Sequence, residues 1–193
     1  MKFKFYDIIS LLIPGFILYL VYLSLNNEVF DNDFALPATA IAFVIGYFVN
    51  TVSSWLEEFY FFTWGGKPSD NLLDGKGVWK VTFYEHEKVK KLLTQELGKA
   101  NPNNDELFQV AMRYATPTVN PRVPDFNANY AFSRVMLTTV LLVGILLICR
   151  FPTNLSIYLL FIPFLFISWL RSKQRGYYFA KEVLQTYLKC KTT

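Results

Sequence analysis

The sequence predicts an all-α integral membrane protein. It has four transmembrane helices, a small, mostly helical cytosolic insert and an amphipathic C-terminal helix. Three observations predict this class. Four apolar stretches, residues 6–25, 36–55, 131–149 and 155–170, each approach the ~20 helical residues that a hydrocarbon core of about 30 Å demands. Residues 41–52 and 135–149 carry no polar stripe, and a helix that is apolar all round must be covered on every side. A chain of 193 residues cannot bury four such helices in water. The third observation is the placement of charge. Residues 26–35 hold Glu28, Asp31 and Asp33 and no basic residue, and residues 150–154 hold only Arg150. All the rest of the 19 Lys and Arg sit in the N-terminus, the long middle segment and the tail. Loops that stay in the cytosol keep their Lys and Arg, so both termini are expected there, in a bacterial inner membrane.

Composition agrees, with 53% hydrophobic residues and only 18% charged, against roughly 25% charged in ordinary soluble domains. A cleaved signal peptide is disfavoured. Lys2 and Lys4 resemble its charged start, but the apolar run exceeds the usual ~7–15 residues and Leu23-Ser24-Leu25 is a poor cleavage site. The chain divides into residues 1–56 (spans one and two), 57–130 (the insert), 131–170 (a hairpin of spans three and four) and 171–193 (the basic tail helix).

The first span contains Pro14-Gly15, and proline both removes a helix hydrogen bond and clashes with the preceding turn, so a kink is expected there. Asp7 at its start reads as a capping residue, or as a contact for a basic residue of the insert or tail. On the second span Ala38, Ala42, Gly46, Asn50 and Ser54 recur every four residues, with Thr39 and Ser53 alongside. Small residues at that spacing let helix backbones approach in lipid, and Asn50 needs a hydrogen-bond partner. The face suits a packed contact within one chain, a contact between subunits, or a hydrophilic pore wall. No breaker follows until Gly65-Gly66-Lys67-Pro68, so this helix is expected to run on to Trp64, with Trp55, Tyr60 and Trp64 at the interface.

In the insert, residues 79–83 read as a short strand or extended piece. Residues 84–98 read as a helix, with Val89, Leu92, Leu93 and Leu97 on one face and Gly98 at its end. Another starts at Asn104 or Asp105, with Leu107, Val110 and Ala111 as its stripe. Pro117, Pro121 and Pro124 make residues 115–124 extended, and a helix restarts near Asp125 and enters the membrane past Tyr130, Phe132 and Arg134. Residues 151–154 form a turn. In the tail, Ala180, Val183, Leu184, Tyr187 and Leu188 form one stripe, expected to pack on the matching stripe of residues 84–98. So few large apolar residues make the insert a marginal domain alone, dependent on the membrane helices or a neighbouring subunit.

The formal charge of +4 does not imply nucleic-acid binding, because residues 57–134 hold ten basic and ten acidic side chains. The surplus lies in the tail, where Arg171, Lys173, Arg175, Lys181, Lys189 and Lys191 face only Glu182. Beside a membrane span such residues attract anionic lipid by about 1 kcal/mol each. Arg171, Lys173, Arg175, Lys189 and Lys191 are therefore expected headgroup anchors, with the bilayer itself as a partner. Cys149 and Cys190 fall on opposite sides of the membrane in this topology, so they cannot pair, and neither has metal-ligand spacing. Palmitoylation of Cys190 has only its position in favour.

Nothing points to catalysis, a metal or a cofactor. His86 is the only histidine, and Glu85-His86-Glu87 reads as a solvated turn. Gly65-Gly66-Lys67-Pro68-Ser69 lacks the first glycine of a phosphate loop. No arginine stands four to six residues before His86, as a ribonuclease pair of that kind requires. A lipid-modifying enzyme would have only Glu57, Glu58 and His86 for acid–base work. Carriers usually show repeats and a charged midplane site, which this chain lacks, although an oligomer of it could enclose a path.

The opening Phe5-Tyr6-Asp7-Ile8-Ile9-Ser10-Leu11-Leu12-Ile13-Pro14-Gly15-Phe16 is similar to the start of many small bacterial membrane proteins. The layout of two spans, insert, hairpin and basic tail resembles the accessory membrane proteins of RNA-targeting (type VI-B) CRISPR systems. The resemblance implies antiviral defence and carries no functional residue with it. The expectation is a non-enzymatic, homo-oligomeric accessory or effector protein that responds to a cytosolic effector complex. It would assemble through Ala42, Gly46 and Asn50, and modulate that effector or perturb the membrane. The alternative is a passive adaptor that recruits a cytosolic partner.

Overall fold

The structure, a computed structural model, describes residues 5–192, and the side chains of all of these except residues 5–7, 9 and 32. Lys2, Lys4 and the Asp7 side chain, with its expected capping role, lie outside the described residues. The helices are α1 (Phe5–Leu25), α2 (Ala35–Trp55), α3 (Glu57–Trp64), α4 (Pro68–Leu73), α5 (His86–Leu97), α6 (Asn104–Tyr114), α7 (Arg122–Arg150) and α8 (Leu155–Thr192). A single 3₁₀ turn, Asn32–Phe34, leads into α2. No strand occurs among the described residues. In place of the extended piece at 79–83 there is one isolated antiparallel bridge, Val78 with Val81, closed by Lys80 at φ 65°.

The chain forms two compact units. The apolar unit comprises the residues up to Glu57 and Ala131–Leu170, and the amphipathic unit comprises Glu58–Tyr130 and the stretch from Arg171. Among the described residues three helices are long and apolar enough to cross a membrane: α2, α7 and α8. The apolar helix described within α1, Ser10–Leu25, is shorter, so three of the four expected spans are found among the described residues.

In the apolar unit α1 and α2 touch backbone to backbone. A Cβ placed on Gly15 would lie 1.7 Å from the Ala42 carbonyl oxygen, and one on Gly46 would lie 1.8 Å from that of Leu11. Only glycine permits this approach. Ala38, Ala42, Val49 and Ser53 line the same buried seam. α1 passes through Pro14 as one helix. Two buried threonines here bond to their own helix, as an apolar medium favours. Thr138 donates to the Arg134 carbonyl at 3.1 Å and Thr139 to that of Val135 at 2.9 Å. Buried Arg134 pairs with Glu57 and donates to Ser54 Oγ at 3.2 Å. The outer faces are oily and bare: Tyr47, Phe48, Leu159, Leu160, Ile162, Phe164 and Ile167 are all exposed.

Four further expectations are corrected. The second helix does not run unbroken to Trp64. Leu56, at φ −79° and ψ −3°, interrupts it for one residue, since a ψ near zero swings its carbonyl off the helical direction. Pro68, expected within the break at Gly65-Gly66-Lys67-Pro68, instead opens α4 as its first residue, where its missing N–H costs nothing. The segment 115–124 is not extended throughout. Asn120 Oδ1 accepts from the Arg122 N–H at 3.0 Å and starts α7 there, leaving Pro124 in a first turn that tolerates it. Finally, the fourth apolar stretch and the tail are one 38-residue helix, because no breaker separates Leu170 from Arg171.

Candidate functional site

The amphipathic unit is built on stripes that the sequence displays. α5 offers Val89 and Leu93, α6 offers Leu107, Val110 and Ala111, and the C-terminal half of α8 offers Tyr177, Ala180, Val183, Leu184, Tyr187 and Leu188. All join one core with Leu72, Leu73, Val81, Phe83, Ala115 and Val123. The expected packing of the tail stripe on α5 therefore belongs to a larger assembly that includes α4 and α6. Gly98, at φ 65°, ends α5 in the left-handed conformation. Asn103 and Glu106 form a reciprocal capping box at the start of α6.

Polar clamps hold the rim of this core. Glu96 on α5 accepts hydrogen bonds from Tyr114 on α6 and from Tyr187 at 2.9 Å, and pairs with Lys191 at 3.1 Å. Lys191 also lies 4.7 Å from the Tyr114 ring centroid. Desolvation alone would raise the Glu96 carboxyl, but these three donors together hold it below the ordinary glutamate value. Burial, reinforced by the Glu96 charge, pushes the Tyr187 hydroxyl well upward. Across the unit, Asp74 takes a hydrogen bond from Lys90 at 2.8 Å and another from Asn104 at 3.0 Å, and both draw its carboxyl below the usual range. Asn71, buried, donates to Tyr177 Oη at 2.7 Å and to the Gly65 carbonyl at 3.2 Å.

One face of the unit is open and strongly basic. Arg171, Arg175, Tyr178, Glu182 and Gln185 follow each other at helical spacings of three and four along α8, with Lys181 beside them. Arg122 and Phe126, one turn apart at the start of α7, form the opposite wall. The cleft between them measures about 460 Å³. Its one carboxylate is already engaged: Glu182 accepts from Asn120 Nδ2 at 2.9 Å and lies 4.0 Å from Arg122. The Phe126 and Tyr178 rings are 6.4 Å apart, and the Arg122 guanidinium sits 5.3 Å from the Phe126 centroid. The basic cleft is the candidate site.

The residues singled out from sequence fall into three groups. Ala38, Ala42 and Gly46 are consumed by α1 of the same chain, which is one of the three uses open to that face. Asn50 is half-buried, and Ser54 donates to the Asn50 carbonyl at 3.1 Å. Pro14 and Gly15 lie on the facing helix, Gly15 within the contact itself. Of the five basic anchors, Arg171 and Arg175 line the cleft. Lys173 instead donates to the Trp64 carbonyl at 2.9 Å, Lys191 is bound to Glu96, and Lys189 is exposed. Sequence reasoning did not find Arg122, Phe126 and Tyr178 as partners of these two. The spacing of Arg171, Arg175 and Tyr178 was visible, but nothing in the chain tied them to residues some fifty positions upstream.

The groups considered for acid–base work are separate. His86 Nδ1 lies 3.2 Å from the Phe83 carbonyl and its ring packs over Gly75, so it is half-buried rather than a solvated residue. Glu57 pairs with Arg134, and Glu58 lies 3.7 Å from Lys67. Among the described residues no group of His, Cys, Asp and Glu is arranged to hold a metal. No known protein family, curated protein or solved structure matches the chain.

Proposed function

We propose that this chain is a non-enzymatic membrane platform. Four spans in a bacterial inner membrane would hold the amphipathic unit on the cytosolic side, where it engages a soluble partner. The observation that carries the reading is the closure of one hydrophobic core by two segments, 58–130 and the stretch from Arg171, each joined to an apolar stretch. A fold tethered at both its entry and its exit suits a fixed docking body better than a mobile one. α1 fits as the fourth span: its 21 helical residues extend about 31 Å at 1.5 Å per residue, the thickness of the hydrocarbon core. On the resemblance in layout, that partner would be an effector of RNA-targeting antiviral defence. Of the two readings, the adaptor is favoured over the oligomeric effector because α1 of the same chain already covers the Ala42 and Gly46 face.

The two native cysteines, both exposed, make the test direct. In spheroplasts, a membrane-impermeant maleimide should label a Cys190→Ser chain, through Cys149, from outside. A Cys149→Ser chain should be labelled only after permeabilisation. Labelling of Cys190 from outside overturns the topology. Inducing the chain should leave the membrane potential unchanged, and depolarisation would restore the effector reading.

A further inference from the structure

We propose that the basic cleft of α7 and α8 is a phosphate-binding site that seats the headgroup of an anionic phospholipid. The inference rests on the membrane reading above and adds a ligand to it. Four cations, Arg122, Arg171, Arg175 and Lys181, converge on the cleft against the single carboxylate of Glu182. That carboxylate is spoken for by Asn120 and Arg122. Three of the four cations are guanidinium groups, whose planar fork matches two phosphate oxygens at once. The cleft, about 460 Å³, falls within the range of small-ligand sites.

Depth along α8 decides between a lipid and a free phosphate. Arg171 directly follows Leu170, the last residue of the apolar stretch, and Arg175 comes one turn later. At a rise of 1.5 Å per residue these positions lie about 1.5 and 7.5 Å past that residue along the helix. The polar layer on each side of a bilayer is about 5–8 Å thick, so both arginines stand at headgroup height.

The test uses the full chain in a neutral maltoside detergent, with thermal unfolding as the readout. Short-chain phosphatidylglycerol should raise the melting temperature saturably, and short-chain phosphatidylcholine should not. Arg171→Gln/Arg175→Gln should weaken the apparent affinity for phosphatidylglycerol by about tenfold or more, the worth of losing charged hydrogen bonds. Lys189→Gln, outside the cleft, should leave it within about twofold. Should the double variant prove unstable, Lys181→Gln alone should still weaken binding severalfold. Inorganic phosphate saturating at the same concentrations, and blocking the lipid effect, would overturn the lipid assignment in favour of a soluble ligand. An unchanged response in the cleft variants, or no response in the parent chain, overturns the site. Cysteine labelling reads topology independently of lipid affinity. The cleft can therefore fail while the platform stands, and the platform can fail while the cleft binds.

Discussion

Gly46→Ala should unlock α1 from α2, and the cost can be worked from the geometry. The new methyl carbon would start 1.8 Å from the Leu11 carbonyl oxygen, whereas an unstrained contact needs roughly 3.2 Å. The obstacle is backbone within a helix, so no side-chain rotation relieves it, and the helices must part by about 1.4 Å. A gap of 0.5–1 Å already forfeits about a quarter to a half of each van der Waals contact, and such contacts are what hold helices together in lipid. The expected loss is therefore at the upper end of overpacking penalties, about 3 kcal/mol or more. Gly15→Ala should behave alike, since its added carbon would sit 1.7 Å from the Ala42 carbonyl oxygen. The double variant separates the two explanations of the glycines. Parting the helices for one methyl makes room for the other, so the combined loss should be well below the sum of the single losses. Ala40→Leu, on the exposed side of the same helix, should be tolerated. The assay is the fraction of full chain that survives heating in mild detergent as a monodisperse peak. A Gly46→Ala chain that melts with the parent, or a fully additive double variant, would refute the intrachain seam and return Gly46 to a contact between subunits.

Two further outcomes concern the amphipathic unit. Leu184, fully buried at the centre of its core, should cost about 3 kcal/mol as Leu184→Ala, seen as a lower urea midpoint for the tryptophan signal. Glu96 sets an acid limit. Its carboxyl is held below its ordinary value of 4.5, so its contribution to stability is fully present above that pH and fades as pH falls through the lower folded-state value. Between pH 7 and pH 4 the parent chain should lose more of its melting temperature than Glu96→Gln does, and equal losses would remove Glu96 as the sensitive group.

The parts of this fold that were legible in the sequence are those that repeat locally. The stripe Val89, Leu92, Leu93, Leu97 and the stripe Ala180, Val183, Leu184, Tyr187, Leu188 are helical periodicities, and periodicity is imposed by burial on one side. Gly98 announced a helix end because it satisfies orphan backbone groups in a way few residues can, and the helix start at Asn104 was legible although its cap, Asn103, was not. What failed was the reading of breakers. Proline is harmful only where its nitrogen should donate, and Pro68 and Pro124 both sit in first turns, where helix is allowed. Their positions depend on where the helix begins, which for α7 is set by a single side-chain bond from Asn120. The basic cleft was half legible for a different reason. Arg171 and Arg175 share a face by spacing alone, but their pairing with Arg122 and Phe126 is a tertiary fact with no local signature.

The division of the core also constrains how the protein can be made. Leu72, Leu93 and Leu107 are synthesised before the residues that complete their burial, Tyr177 through Leu188. Between them lie residues 131–170, which on the membrane reading must be inserted first. Until then the insert has stripes and no cover, the condition in which a small domain is marginal and its apolar surface exposed. Closure of the core is thus conditional on the hairpin being in place. The clamp of Glu96 with Tyr187 and Lys191 forms only after the hairpin has been made, because two of its members follow the hairpin in sequence. On the proposed reading, a platform assembled in this order would present its finished surface only once the hairpin is seated.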